Sequence, residues 1–232
     1  WEKFTGEDFN IYMDGRDTMW QMMDMEGMST KLNEAGYDGV ILAEEINDER
    51  EATKISFCTL NPTQIKSANQ NIGLYSSTNP NIRFQKVDVS QVDYTPEEMN
   101  IIAKAKADGT YLKAPNGENT NLTPKQWAQV RTETFKQWFG DWENTPESAS
   151  KIIDENGEPK VQYHGTNRNF NVFRRGDIGY HFGDEGIAKE AMRSKEGSRV
   201  IDTFLTLKNP LKIDEDFGSW EGDHWDFLNY LA

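Results

Sequence analysis

The sequence predicts an α+β fold of short strands and short capped helices, filled largely by aromatic side chains. Strand-like runs end at Asn-Pro or Asn-Gly turns, and two Thr-Pro pairs open runs with helical periodicity. Only 36% of the residues are hydrophobic, but 7 Trp, 8 Tyr and 12 Phe each bury a large area and make a core possible in 232 residues.

Composition narrows the function classes. With 25 Lys+Arg against 39 Asp+Glu the net charge is −14, which repels phosphate backbones and disfavours nucleic-acid partners. The mean hydropathy of −0.81, without an apolar run of spanning length, argues against a membrane partner. The single cysteine, Cys58, allows no internal disulfide and suits a reducing compartment. The length fits one large domain or two small ones. The chain opens at Trp1, without an initiator Met or a signal-peptide core, and reads as an excerpt.

The elements follow in order. Residues 26–35 read as the end of a helix stopped by Gly36, and Val40 to Ala43 as a buried-type strand after the Asp38-Gly39 turn. Ile55 to Leu60 alternates like a half-buried strand and closes at Asn61-Pro62. Residues 67–85, rich in Asn, Gly and Ser, carry loop chemistry. Thr95-Pro96 caps a helix that runs to Asp108-Gly109, and Pro115-Asn116-Gly117 marks a turn. Thr123-Pro124 opens a helix whose stripe of Trp127, Val130, Phe135, Trp138 and Phe139 must dock on something. Asn156-Gly157 suggests a hairpin between Ile152-Ile153 and Val161 to His164. A strand at 178–182 leads into an acid-started helix through Met192. Val200 to Leu207 and Leu211 to Ile213 are the last strands, before an acidic, Trp-rich tail. The similar strings TLNP (59–62) and TLKNP (206–210) read as two strands ending in the same turn.

Little familiar chemistry is present. His164, His181 and His224 lack the spacing of a local metal-ligand pair, so no metal is expected. A phosphate-binding P-loop, a dinucleotide fingerprint and a nucleophile elbow are all absent. Two strand ends stand out, Tyr163-His164-Gly165-Thr166 and Gly179-Tyr180-His181-Phe182-Gly183. An imidazole can hydrogen-bond a sugar hydroxyl, and glycine lets a carboxamide approach the backbone. A ring from the second strand offers a flat face to a planar cationic heterocycle. Together these would form a nicotinamide riboside pocket, with His164, Gly165, Thr166, Tyr180, His181 and Phe182 as candidate binding residues.

The strings YHGT (163–166) and GYHFGDEGIAKEAM (179–192) resemble the first two motifs of the ADP-ribosyltransferase superfamily. Residues 135–166 and FLTLKNPLKID (204–214) are similar to ADP-ribosyltransferase-like domains of polyvalent proteins in phages and conjugative elements. GYDGVILAEE (36–45) and TLNPTQIKSA (59–68) resemble the end of the same domain, so the order is inverted. The expected organisation is therefore the C-terminal half of one module (1–86), a helical connector (87–124) and the N-terminal half of a second module (125–232). Each half alone would expose sheet edges, and the two are expected to close on each other as a permuted composite.

The resemblance implies a split barrel of two small antiparallel sheets with flanking helices. It also implies NAD as co-substrate, release of nicotinamide, and transfer of ADP-ribose to a host protein target in the bacterial cytoplasm. His164 matches the ribose-binding His, Gly165 the carboxamide contact, and His181 the position that holds Tyr in the polymerase branch. Ser56 falls where active transferases usually carry Glu, and Glu51 upstream is a substitute carboxylate. The missing Glu would ordinarily stabilise an oxocarbenium-like transition state. Two other readings stay open: a catalytically inactive interaction module, and an RNA 2′-phosphotransferase-like activity suggested by the His-His pair and disfavoured by the acidic charge.

Overall fold

The computed structural model describes residues 28–46, 52–71, 73, 75–83, 94–173, 180–192 and 197–213. In chain order the α-helices are α1 Met28–Glu34, α2 Pro96–Asp108, α3 Pro124–Gln129, α4 Glu133–Phe139 and α5 Glu185–Met192. The strands are β1 Gly39–Ile46, β2 Ala52–Thr59, β3 Ile65–Ser67, β4 Gln162–Thr166, β5 Tyr180–Phe182, β6 Arg199–Leu205 and β7 Leu211–Ile213. The class is α+β with two small sheets, as the sequence predicts, and neither sheet closes into a barrel. The chain divides into two compact units: Trp1–Leu60, Arg175–His181 and Pro210–Ala232 form the first, and Asn61–Arg174 with Phe182–Asn209 the second.

In the first unit, α1 ends where Gly36 takes a φ of +89° and Tyr37 N–H donates to the Leu32 carbonyl at 2.9 Å. β1 and β2 then pair antiparallel from Gly39↔Thr59 to Ile46↔Ala52. Their sheet has the order β5-β2-β1-β7. Two expectations are corrected here. β7 runs parallel to β1, with Val40 opposite Leu211, so this sheet is mixed rather than antiparallel. A long crossover, not a hairpin, brings β7 to β1, and nothing then imposes the antiparallel sense. β2 is not half-buried along its length: Ser56, Phe57, Cys58 and Thr59 are all buried, because this interior strand is covered on both faces.

In the second unit the sheet order is β3-β6-β4, antiparallel throughout. Strands from early and late sequence meet in both sheets, β1 with β7 and β3 with β6. The TLNP string ends β2 and opens a 3-10 turn, Pro62–Gln64, closed by a capping box at Asn61. The loop chemistry of residues 67–85 is expressed as side-chain-to-backbone turns. Gly73, Asn81 and Arg83 N–H groups donate to the carbonyl oxygens of the Asn71, Asn79 and Asn81 side chains.

Helix α2 matches its sequence signals at both ends, with a Thr95–Glu98 capping box and Gly109 left-handed at φ +73°. The single helix expected after Thr123 is instead two. Thr132 has extended backbone, donates through Oγ1 to the Gln129 carbonyl, and caps α4 by accepting from Phe135 N–H. The break lets the aromatic stripe turn inward. Phe135, fully buried, stacks on Phe139 at 5.1 Å and meets Phe204 of β6 edge-on at 5.2 Å and Tyr75 at 4.8 Å. Ala105 of α2 and Leu122 join the same core.

The hairpin expected around Asn156-Gly157 shrinks to one bridge, Ile153↔Pro159, with Gly157 at φ +82°. Its second arm pairs elsewhere: β4 forms its ladder with β6, from Gln162↔Thr203 to Thr166↔Arg199. The longer alternating strand won that pairing, because five cross-strand pairs outweigh one short turn.

Candidate functional site

Side chains on β4 alternate between faces. Tyr163 and Gly165 share one face with their β6 partners Asp202 and Val200; Gln162, His164 and Thr166 share the other with Thr203, Ile201 and Arg199. Helices cover the first face, α4 through Phe204 and α5 over Gly165. His164 stands on the opposite face, half-buried, among Phe173 at 5.0 Å, Phe182 at 5.4 Å and Phe170 at 6.3 Å. Three aromatic rings thus fix the plane of one imidazole.

Gly165 has a packing reason as well as a proposed binding one. A Cβ there would collide with the Ala188 carbonyl oxygen and the Met192 side chain, so glycine lets α5 lie against β4. The backbone of Gly165 keeps a separate direction. Tyr163 exchanges both backbone hydrogen bonds with Gly183, at 2.9 and 3.1 Å. Two residues on, the N–H and C=O of Gly165 point toward that same edge of the strand, away from β6. An edge-facing donor and acceptor on one glycine are what a carboxamide needs. Thr166 Oγ1 accepts from Arg168 N–H at 3.1 Å and so shapes the exit from the strand.

The same face carries polar atoms with nothing to bond. Two residues before His164, Gln162 is buried, and neither Oε1 nor Nε2 has a hydrogen-bond partner among the described residues. At the other end of this face, Nε and Nη2 of Arg199 are shielded from solvent, as is Oγ of Ser198 just before β6, and none of the three has a partner among the described residues. The sequence reading missed Arg199 and Ser198. The only signal for them is strand register, which the sequence does not print.

On the helix-covered face, burial pushes the Asp202 carboxyl above its usual range, and the Glu185 charge adds to that against the opposing bond from Asn69. Burial, then the charges of Asp202 and Glu185, raises the Tyr163 phenol. Lys66 of β3, opposite Phe204, is fully buried; burial lowers its ammonium to about 8, and its Nζ donates to the Asn79 carbonyl at 2.5 Å.

The remaining candidates lie in the first unit or outside the described residues. Ser56 on β2 is buried, and β5, with Tyr180 buried and His181 half-buried, is the strand beside β2. Phe182, at the end of β5, belongs to the second unit, where it meets His164. Glu51, His224 and the acidic tail fall outside the described residues. Among the described residues, no group of three or more His, Cys, Asp or Glu could hold a metal, and no helix is long and apolar enough to cross a membrane.

The strand that ends in His-Gly, with its imidazole framed by aromatic rings, is followed in the chain by the strand-to-helix unit β5–α5. Residues 154–228 match the family model described as ADP-ribosyltransferase in polyvalent proteins, the family that the YHGT strand resembles. That match supports ADP-ribosyl transfer as the general activity. No curated protein and no solved structure matches the chain.

Proposed function

We propose that the chain binds NAD and transfers its ADP-ribose to a protein target. The dinucleotide supplies the chemistry: its bond between ribose and nicotinamide breaks, nicotinamide leaves, and a target nucleophile takes the sugar and gives up a proton. The residues present fit such a group, because the His164 face offers both an aromatic-framed imidazole and unpartnered donors. His164 would hydrogen-bond a ribose hydroxyl, held in place by Phe173 and Phe182. Gly165 would pair its edge-facing N–H and C=O with the carboxamide, and Thr166 would close the strand end. The cage around His164 is the observation that carries the proposal, because an imidazole held in one orientation is prepared for a specific partner.

The proposed setting is a polyvalent protein of a mobile element, acting on a host protein in the cytoplasm. The buried thiol of Cys58 suits that compartment. The two sequence segments, 1–86 and 125–232, would be halves of successive modules joined by residues 87–124.

One observation favours a second reading, an inactive interaction module. Ser56 stands where the resemblance puts Glu, and a buried hydroxyl supplies no negative charge to a developing cation. Labelled NAD incubated with bacterial lysate separates the two. Label on protein that disappears in His164→Ala supports transfer. Calorimetric NAD binding without labelling supports the inactive module, and absence of NAD binding overturns the NAD reading.

A further inference from the structure

The orphaned atoms at the start of β6 have a common character. Nε and Nη2 of Arg199 are donors, Oγ of Ser198 can donate, all three are shielded from solvent, and none has a partner among the described residues. Folded chains rarely leave such groups unpaired, because each forfeits its hydration with nothing in return. A cluster of unpaired donors around a permanent cation is complementary to an anion, and a guanidinium fork matches phosphate oxygens best.

Register places Arg199 in line with His164. Arg199 pairs with Thr166, which is two residues from His164 on the same face of β4. Two residues along a strand span about 7 Å. In a dinucleotide the diphosphate lies one ribose away from the hydroxyls that His164 would hold. We infer that Arg199, assisted by Ser198, is the diphosphate contact of this site. The inference rests on the NAD reading above and extends it: the β4–β6 strand pair would read the riboside at His164 and the diphosphate at Arg199.

Calorimetry on the 232-residue chain tests it, with NAD, ADP-ribose, nicotinamide riboside and inorganic pyrophosphate as probes, on the parent and on Arg199→Ala, Arg199→Lys and His164→Ala. Circular dichroism melts confirm that each variant is folded. Arg199→Ala is expected to weaken NAD and ADP-ribose by about 10- to 100-fold, the loss typical of charge-assisted hydrogen bonds, and to leave nicotinamide riboside unchanged. Arg199→Lys should recover part of the loss, because it keeps the charge without the fork. His164→Ala should lose nicotinamide riboside and keep pyrophosphate. NAD affinity within about twofold of the parent in Arg199→Ala, or an equal loss for riboside and dinucleotide, overturns the inference. If the parent binds pyrophosphate through Arg199 but neither NAD nor the riboside, the NAD reading falls and the anion contact stands. If the parent binds none of the probes, both fall.

Discussion

Two arginines of the second unit show opposite ways of holding a guanidinium away from water. Arg131 lies 4.0 Å over the Trp127 ring and 5.1 Å from Trp142. It donates to the Trp127 carbonyl at 3.0 Å, the Lys113 carbonyl at 3.1 Å and the buried carboxylate of Glu158 at 2.7 Å. The tryptophans of the same core are equally complete: the indole N–H groups of Trp127, Trp138 and Trp142 donate to the carbonyls of Lys113, Thr63 and Val130. Arg199, by contrast, has two shielded nitrogens, Nε and Nη2, with no partner for either among the described residues. A satisfied cation belongs to the fold. An unsatisfied one carries a cost that the fold alone does not offset, which makes it a candidate for ligand recognition.

Stability measurements can break that comparison. Arg131→Met should lose about 3–5 kcal/mol in urea unfolding, because Glu158 would remain as a buried charge without its partner. Arg199→Met, which removes a guanidinium whose Nε and Nη2 have no partner among the described residues, should stay within about 0.5 kcal/mol of the parent or gain stability. Equal losses in the two variants would show that Arg199 is structural.

Gly165→Ala sharpens the contrast between the two faces of the sheet. Its methyl group would push against the Ala188 carbonyl and Met192, and the expected cost is about 1–3 kcal/mol from overpacking, read as a lower melting temperature. Unchanged stability would mean that α5 is free to yield, and glycine would then be needed only at the strand edge.

The smallest effect concerns the helix-covered face. The folded-state pKa of Asp202 is raised, so its protonated form is favoured in the native chain. Its contribution to stability is full below the unfolded carboxyl pKa and is lost as pH rises through the raised folded value. Asp202→Asn should remove that dependence and flatten the melting-temperature profile through the acid range. A profile with unchanged slope would assign the dependence to other carboxylates.

Local signals were legible where neighbouring residues settle the structure. Thr95-Pro96 and Gly109 bounded α2, Gly36 stopped α1, and the Asn-rich 67–85 stretch formed loops, because caps and side-chain turns are satisfied within a few residues. The 124–139 stripe has the pattern of one helix, because apolar periodicity alone does not reveal that Thr132 offers α4 its own cap. For the candidate site, the sequence singled out His164 and Gly165 by residue type but gave no sign of Arg199. An arginine opening a strand is commonplace until a partner strand defines its face.

The sequence by itself determined the α+β class, most helix ends, the turn at Asn156-Gly157 and the YHGT strand end, all carried by contacts only a few residues apart. The tertiary structure decided the rest: that β7 lies parallel to β1, that β4 pairs with β6 rather than with residues 152–153, and that Thr166 faces Arg199. Those choices depend on long-range burial and on competition between strand edges for backbone hydrogen bonds. The alternating side chains of a single strand fix its two faces, but only its neighbour decides which residues share them.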